Sequence, residues 1–587
     1  MRITSRFLPL SLALLGCATG APGTPQADDL DTFVTAQMAR RHVPGLSLAI
    51  IQDGRIVEAR AYGVTDAGGG AAVTPSTLFQ AGSISKSVAA LGALHLVEQG
   101  KLTLDGDVNT MLTSWKVPAS GFTSATPITL RRLLSHTAGL TVHGFPGYAV
   151  DAPRPTLVQV LDGAPPANTE AIRSDTAPGA RWNYSGGGYT VMQQMMLDVT
   201  GQPFPEYMRQ AVLAPIGMSR SSYEQPLPPD MAAATASGHY AGQKPVKGRW
   251  HVYPEMAAAG LWTTPTDLAR FAIEVQRSFA GRSSRVISPA MTHRMLTEEK
   301  AGDGLGVFLQ GAGRTLLFNH NGRDEGFDAS LNAFAETGQG IVVMINANDN
   351  SRMMNRIMAF AAKKYAWPTA SSYAPPLMSA DPVPVARLAS YTGRYELTNN
   401  NMITFVAANG RLYSASDGLP DEEFIPVSGD RFASVDRNVR MAFTRDAAGA
   451  ITGITWTQGD RDRAVARVGP LVSMLPRESD PDPAFTARLV ATLRAMTEGG
   501  ASVAHAPALT AGAQRDFSRI GPWPVVAGYR GVTYLGAEDV SGRALERHGH
   551  AVARIAYYTL TTESAQRSLL VYVTKDGQIT DFDDVDD

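Results

Sequence analysis

The segment "FQAGSISKSVAALGALHLVEQGKL", residues 79–102, has a serine at position 83 and a lysine three residues later, followed by regularly spaced apolar residues. Its apolar spacing predicts a helix that begins at Ser83, carries Lys86 one turn later and then turns an apolar face inward. A lysine pressed against apolar surface loses hydration, which favours its uncharged amine. An uncharged lysine beside a serine hydroxyl is a base beside a nucleophile, so the segment predicts nucleophilic catalysis.

A Ser-x-x-Lys pattern alone is weak evidence for catalysis, but in this chain the pattern occurs only once. The chain has nine lysines, and only Lys86 has a serine three positions before it. Residues three apart share a helix face, so Ser83 and Lys86 can meet. Ser83 would also lie at the helix N-terminus, where free N–H groups favour a developing oxyanion. The alternative is a capping serine followed by a lysine that extends its ammonium group to solvent.

Length and charge exclude several classes of protein. A chain of 587 residues is too long for one core, and roughly two to four domains are expected. The formal net charge is −2 with no basic run, which gives no electrostatic case for nucleic acid as a partner. After the N-terminus no stretch approaches the roughly 20 apolar residues that span a bilayer.

The N-terminus predicts export. Arg2 and Arg6 precede the apolar run "FLPLSLALLG", which is typical of a signal peptide. The run ends at Cys17, the only cysteine, in a context that resembles the lipobox of bacterial lipoproteins. We therefore expect lipidation at Cys17 and a periplasmic protein tethered to the outer membrane, the alternative being a secreted protein cleaved nearby. A body free of cysteine fits an exported protein that needs no disulfide.

Composition divides the chain into three units of different character. The first has strand patterns at both ends and helical patterns between them, the second has short alternating strands, and the third begins with a helix and continues as strands. Its closing "DFDDVDD" is predicted to be a solvated tail. The predicted boundaries are 1–27 for the signal peptide and spacer, 28–367 for the first unit, 368–386 for a linker, 387–470 for the second unit, 471–483 for a second linker and 484–587 for the third.

Five motifs in order resemble the serine β-lactamase and penicillin-binding protein superfamily. The resemblance is closest to the branch of class C β-lactamases, D-aminopeptidases, D-alanyl-D-alanine carboxypeptidases and related esterases, and it covers about residues 28–367. The motifs are "TLFQAGSISKSVAAL" (77–91), "ITLRRLLSHTAGL" (128–140), "PGARWNYSGGGYTVMQQMM" (178–196), "AAAGLWTTPTDLARF" (257–271) and "FNHNGRDEGF" (318–327).

The resemblance implies roles for individual residues. Ser83 matches the acylated nucleophile and Lys86 the lysine that helps to remove its proton. Tyr184 matches the tyrosine that shuttles the proton to the leaving group and activates the deacylating water. The segment His320-Asn321-Gly322 matches a strand that lines the site, and the backbone N–H groups of Ser83 and Arg323 would form the oxyanion hole.

Two departures from the family pattern bear on the substrate. Gly186 stands where the lactamases have an asparagine that binds the substrate's side-chain amide. His320 replaces a lysine that holds a substrate carboxylate, and a mostly neutral histidine is a weaker anchor, although Arg323 would be able to substitute. We interpret His136 as structural and the run Arg323-Asp324-Glu325 as a solvated turn.

The resemblance implies an α+β first domain with a five-stranded antiparallel sheet, terminal helices and an inserted helical lobe. The second unit resembles a lipocalin-like β-barrel and the third an NTF2-like α+β fold; such units wall a cleft, bind a ligand or mediate dimerisation. No metal or organic cofactor is implied. We expect a serine hydrolase acting on a small ester, amide or peptide. The alternatives are a penicillin-binding D,D-carboxypeptidase or weak β-lactamase, and a non-catalytic envelope lipoprotein.

Overall fold

The computed structural model describes residues 29–124, 126–240, 243–349, 351–368, 383–398, 401–416, 419–458, 461–472, 475, 478–518, 523–542, 545–563 and 566–585. The predicted signal peptide with Cys17, and most of the predicted linker 368–386, lie outside these residues. Within the described ranges, no helix combines the length and the apolarity needed to cross a membrane.

The first unit is built on one antiparallel sheet. Six strands pair in the order β2-β1-β12-β11-β10-β9, so the prediction of five strands is wrong by one. The additional strand is three residues long, too short to give an alternating pattern in the sequence. The strands are β1 (Gly45–Gln52), β2 (Arg55–Gly63), β9 (Phe308–Gln310), β10 (Leu317–Asp324), β11 (Phe327–Phe334) and β12 (Gly340–Ile345).

Short strand pairs, thirteen α-helices, a π-helical turn (Arg209–Leu213) and a 3-10 turn (Gly313–Thr315) complete this unit as described. The short strands are β3 (Phe79–Gln80), β4 (Tyr148–Ala149), β5 (His239–Tyr240), β6 (Lys244–Pro245), β7 (His251–Val252) and β8 (Trp262–Thr263). The helices are α1 (Asp29–Arg41), α2 (Ile84–Glu98), α3 (Val108–Met111), α4 (Leu130–Leu134), α5 (Leu157–Asp162), α6 (Gly186–Thr200), α7 (Phe204–Met208), α8 (Ala214–Ile216), α9 (Pro229–Ala232), α10 (Met256–Ala259), α11 (Pro265–Phe279), α12 (Pro289–Met295) and α13 (Met353–Lys364).

The sheet separates two apolar cores. On one face α1 and α13 pack against β1 and β12 through residues such as Leu30, Leu46 and Ile357. On the other face α2, α11 and the helical lobe form a larger core that includes Val88, Leu94 and others. Because both faces are covered, β1 is buried along nearly its whole length. The predicted α+β class is confirmed, with the segment 79–102 at the centre of the larger core.

The second unit is a closed antiparallel barrel, as predicted. Its eight strands pair in chain order and the last returns to the first. The interior is filled by packed side chains that include Phe405, Phe424, Phe443 and Trp456, as expected for a small barrel of this strand number. The elements are α14 (Val385–Tyr391), β13 (Gly393–Thr398), β14 (Asn401–Ala408), β15 (Arg411–Ser416), β16 (Leu419–Ser428), β17 (Arg431–Ser434), β18 (Val439–Arg445), β19 (Ile451–Gln458) and β20 (Arg461–Gly469).

The third unit is an α+β fold with a four-stranded sheet in the order β21-β24-β25-β26. The predicted solvated tail, residues 581–587, is wrong for its described part, since residues 581–585 belong to β26 and Phe582 is buried. Pairing with β25 buries this acidic segment despite its polar composition. The elements are α15 (Pro483–Glu498), α16 (Ala501–Ala504), α17 (Ala511–Phe517), β21 (Tyr529–Asp539), β22 (Glu546–Arg547), β23 (His550–Ala551), β24 (Arg554–Thr562), β25 (Gln566–Val573) and β26 (Ile579–Val585).

Ion pairs hold the barrel against the first unit. Arg356 of α13 contacts Asp421 of β16 at 3.1 Å and Asp436 at 2.8 Å. Arg352 contacts Glu422 at 2.7 Å. Asp421 and Glu422 are both buried, so the barrel packs on the α1 and α13 side of the sheet.

Candidate active site

The turn before α2 presents Ser83 and Lys86 to each other. Ser83 is the residue that precedes the helix, and its backbone is already in the right-handed helical region. Lys86 is 2% exposed, and its Nζ lies 2.9 Å from Ser83 Oγ. The alternative of a lysine that extends to solvent is therefore wrong, because Lys86 is enclosed by the core that begins on this helix.

The second polar contact of Lys86 comes from α10. Lys86 Nζ donates to the carbonyl oxygen of Ala258 at 2.8 Å. Among the described residues, no carboxylate forms an ion pair with Lys86. A carbonyl accepts one N–H from either an ammonium or a neutral amine, and a neutral amine so held directs its lone pair elsewhere. The geometry therefore suits an amine that receives the Ser83 hydroxyl proton.

The edge of β10 lies directly over this turn. A Cβ placed on Gly322 would lie 1.9 Å from the Ala81 carbonyl oxygen and 3.1 Å from the Ser83 nitrogen. A Cβ on Gly82, whose φ is +51°, would lie 2.3 Å from the Arg323 nitrogen. Only glycine fits at either position. The close approach brings the backbone nitrogens of Ser83 and Arg323 side by side, which is the arrangement an oxyanion hole requires.

Tyr184 lies just before α6 and faces Lys86. The centroid of its ring is 5.1 Å from Lys86 Nζ. The ring also packs on His136, with centroids 4.2 Å apart. Because this contact places Tyr184 beside the amine, the three residues Ser83, Lys86 and Tyr184 converge on one site, as the sequence interpretation placed them.

His136 supports the tyrosine from beneath. Its Nδ1 accepts the Ser185 N–H at 3.1 Å, and its carbonyl accepts the Asn183 N–H at 2.8 Å. Burial holds the pKa of His136 well below its usual range. A neutral His136 therefore fixes the backbone on both sides of Tyr184. In the sequence, His136 stands out only through its place in the segment "SHTAGL", and that segment does not indicate the contact with the Tyr184 ring.

His320 lies on β10 and is buried. Burial, with a smaller contribution from Lys86, lowers the pKa of His320 to about 3. Its Nδ1 donates to the Asn321 carbonyl at 2.5 Å, which leaves Nε2 as an acceptor. The ring packs on Phe308, with centroids 5.0 Å apart. His320 is thus a neutral residue of the site and provides no positive charge for a substrate carboxylate.

Asn321 and Arg323 point to the opposite face of the sheet. Arg323 donates to Asp328 through Nε at 2.7 Å and Nη2 at 2.6 Å. Asn321 Oδ1 accepts the Ser330 hydroxyl at 2.7 Å. Alternation along a strand sends their side chains away from the face that carries His320. The suggestion that the Arg323 guanidinium replaces the missing lysine is therefore wrong, and Arg323 reaches the site through its backbone alone.

The predicted solvated turn at residues 323–325 is wrong for Asp324, although Glu325 lies in a turn and the Arg323 side chain is half exposed. Asp324 is the last residue of β10, is 2% exposed and faces the Gly82 amide. Burial raises the pKa of Asp324 well above its usual range. Neither carboxyl oxygen makes a hydrogen bond of normal geometry among the described residues. A charged run before a glycine is typical of a turn, and sequence patterns gave no signal for this buried acid.

Two further buried acids surround the site and were also missed. Glu255 precedes α10, and burial raises its pKa to about 8. Asp303 accepts the indole N–H of Trp182 at 2.9 Å, and burial raises its pKa to about 7. In the part of the chain that the structure describes, no cluster of histidine, cysteine and acidic residues has the form of a metal site.

Two known families match parts of the chain. The β-lactamase family matches residues 30–363, more than half of the chain. A second match, over residues 377–467, is to a domain of unknown function (DUF3471). This second match overlaps the described barrel and adds no activity to it.

Individual relatives are distant. The chain is 28% identical to penicillin-binding protein 4 of Amycolatopsis lactamdurans over 43% of this chain and 65% of that protein. It is 24% identical to protein flp of Staphylococcus aureus (strain N315) over 54% of this chain and 63% of that protein. The alignments thus span less than two thirds of either relative.

One solved structure supports the fold. The octameric penicillin-binding protein homologue from Pyrococcus abyssi superposes with a TM-score of 0.52 and 21% identity. The match covers 74% of this chain and 99% of that chain.

Proposed function

We propose that this member of the β-lactamase family hydrolyses carboxylic esters by acyl transfer through Ser83. Members of that fold family are serine hydrolases. An amide or D-amino-acid peptide bond is the related substrate that the same chemistry would cleave. The proposal rests on one observation above the others, the contact of 2.9 Å between Lys86 Nζ and Ser83 Oγ in a buried setting.

Acylation follows from the positions of these groups. The neutral amine of Lys86 takes the Ser83 hydroxyl proton while Oγ forms a bond to the substrate carbonyl carbon. The carbonyl oxygen becomes an oxyanion between the backbone N–H groups of Ser83 and Arg323. The proton then passes, with the Tyr184 hydroxyl as relay, to the leaving oxygen. The carbon–oxygen bond to that alcohol breaks, and an ester to Ser83 remains.

Deacylation reverses the roles of the same groups. Water enters in place of the alcohol and gives a proton to the Lys86 and Tyr184 pair as its oxygen bonds to the acyl carbon. The tetrahedral oxyanion is held by the same two amides. Its collapse returns the proton to Ser83 Oγ and releases the carboxylic acid.

The charges around the site favour an ester over a β-lactam or a D,D-peptide. Those two substrates carry a carboxylate that needs a cation, whereas His320 is neutral and the Arg323 guanidinium is bound to Asp328. Without such an anchor, the site has no evident preference for a negatively charged substrate. The second candidate, a penicillin-binding enzyme, is favoured by the similarity to a protein named penicillin-binding protein 4.

The first prediction concerns Ser83. We expect the full chain to hydrolyse p-nitrophenyl acetate and the Ser83→Ala variant to lose turnover to the background rate, because the nucleophile is gone. The control is Ser124→Ala, which removes an exposed serine hydroxyl and should leave the rate unchanged. Equal rates for Ser83→Ala and the parent would overturn the proposal. A long-lived benzylpenicillin adduct on Ser83 would instead favour the second candidate.

A further inference from the structure

The space next to Gly186 is occupied by an aromatic ring. Gly186 is the first residue of α6, two positions after Tyr184. A Cβ built on it would lie 2.9 Å from Phe145 Cε2, 3.4 Å from Phe145 Cδ2 and 3.3 Å from the His143 carbonyl oxygen. Any side chain at position 186 would therefore have to displace the ring. The Phe145 ring, which we call the aromatic wall, therefore provides the surface here, and no polar side chain projects from position 186.

The ring is held by the backbone on both sides of it. Gly186 N–H donates to the His143 carbonyl at 3.3 Å, and Gly187 N–H donates to the Val142 carbonyl at 2.9 Å. His143 Nδ1 donates in turn to the Tyr184 carbonyl. These bonds tie the loop that carries Phe145 to the segment that carries Tyr184. The position of the ring relative to the proposed proton relay is therefore fixed.

The other side of the loop is anchored as well. Pro146, directly after Phe145, accepts a hydrogen bond from His251 Nδ1 at 2.8 Å. The Phe145 ring is half-buried and packs against the larger core. Part of the ring is thus exposed while its loop is held in place. A side chain that forms one wall of a ligand-binding site needs both properties.

The acyl chain is the substrate substituent that this wall can meet. In the tetrahedral intermediate one oxygen lies at the amides of Ser83 and Arg323, and the leaving oxygen lies near its proton donor. The third bond of the carbon is to Ser83 Oγ, so its fourth substituent is the acyl chain. On the other side of Tyr184, the ring of neutral His320 lies 6.3 Å from the Tyr184 ring and 5.0 Å from the Phe308 ring, so the surfaces next to Tyr184 are uncharged.

We propose that Phe145 determines acyl specificity, and that the substrates are esters of carboxylic acids with an apolar chain longer than acetyl. This inference rests on the proposed function. Contact with the ring removes apolar chain surface from water, and such contact is worth roughly tenfold or more in kcat/KM for each methylene that fits well. Gly186 is required because it leaves the ring its space.

The test compares p-nitrophenyl acetate with p-nitrophenyl butyrate on the full chain. We expect Phe145→Ala to lower kcat/KM for butyrate about tenfold more than for acetate. Phe145→Leu keeps an apolar side chain and should keep the butyrate preference, whereas Phe145→Gln should lose it. Phe122→Ala is the matched control, since Phe122 is 45% exposed, and it should change neither value.

The outcomes separate this inference from the proposed function. Equal losses on both esters in Phe145→Ala, or no loss on either, would overturn the role of Phe145 while Ser83→Ala still abolishes turnover. Hydrolysis that survives in Ser83→Ala would overturn the proposed function itself. If Phe145→Ala does not fold, the comparison of Phe145→Leu with Phe145→Gln decides, and equal chain-length preference in those two variants overturns the inference.

Discussion

Glu255 is a carboxyl group in a place that disfavours its charge. It is fully buried, and neither of its oxygens has a hydrogen-bond partner among the described residues. It directly precedes α10, whose Ala258 carbonyl binds Lys86. Since burial raises its pKa from 4.5 to about 8, Glu255 is mostly protonated at neutral pH.

This predicts how stability depends on pH. The unfolded chain releases the Glu255 proton near pH 4.5, whereas the folded chain keeps it until about pH 8. The contribution of Glu255 to the free energy of unfolding therefore falls as pH rises between these values and is constant above them. We expect Glu255→Gln to gain stability relative to the parent from pH 5 to pH 8, by several degrees in Tm.

Thermal unfolding of both proteins at several pH values checks this result. Glu336→Gln is the control, because it removes an exposed carboxylate and its Tm should follow that of the parent. A Tm difference between Glu255→Gln and the parent that is the same at pH 5 and pH 8 would show that Glu255 ionises at its ordinary pH in the folded chain.

At this scale, the sequence was a good guide to residues whose partners are near in the chain. Ser83 and Lys86 are three apart on one helix, so helical geometry alone predicts their contact. The directions of the Arg323 and Asp324 side chains, by contrast, depend on strand alternation and on Asp328, which lies on the next strand. Phe145 and Gly186 meet only because two loops fold together, and no local pattern contains that contact.

The contact between β10 and the turn before α2 is the element-scale feature on which the chemistry depends. Gly322 lies against the Ala81 carbonyl, and the Arg323 nitrogen lies next to Gly82. Among the described residues, strand β10 is paired on its outer side only at residues 317–319, through the short strand β9. Its remaining edge, from His320 onward, is consequently free of a neighbouring strand and faces the nucleophile.

Gly322→Ala should open this contact. Its new Cβ would lie 1.9 Å from a backbone oxygen, so the strand or the turn must move and the two oxyanion donors must separate. We expect kcat for p-nitrophenyl esters to fall about 100-fold or more, with the chain still folded. Gly121→Ala is the matched control, since a Cβ at Gly121 meets nothing within 4 Å. Unchanged kcat in Gly322→Ala would remove Arg323 from the oxyanion hole.

Elements with strong periodicity could be predicted from the sequence, and short ones could not. The helices α2, α11 and α15 carry apolar residues at helical spacing, and Asp53-Gly54 marks the hairpin between β1 and β2. Strand β9 has three residues and forms because β10 offers it an edge. The strand β26 is acidic, and its burial depends on pairing with β25.

On the scale of the whole molecule, the units are joined by buried charges. Arg356 of α13 and Arg352, which directly precedes this helix, bind Asp421, Glu422 and Asp436 of the barrel. These partners lie 65 to 80 residues apart in the chain, so no sequence window contains them both. The change in composition along the chain predicted an α+β unit, a β unit and a further α+β unit, whereas their mutual contacts came only from the structure.

A similar junction joins the barrel to the third unit. Arg394 of β13 is fully buried and donates to the Tyr557 hydroxyl at 2.6 Å. Arg547 of the third unit, also buried, lies 3.3 Å from Glu396 of the barrel. Removing one partner from such a buried pair leaves an uncompensated charge and is strongly destabilising. The barrel is therefore a connecting unit, attached by charged side chains on both sides.

The intact mass of the full chain after incubation with a fluorophosphonate shows directly whether Ser83 is an activated nucleophile. An activated Ser83 displaces fluoride from phosphorus through Oγ, while the hydroxyl proton leaves through Lys86. The account predicts one phosphonyl adduct on the parent chain and none on Ser83→Ala. No adduct on the folded parent, or the same adduct on Ser83→Ala, would contradict it.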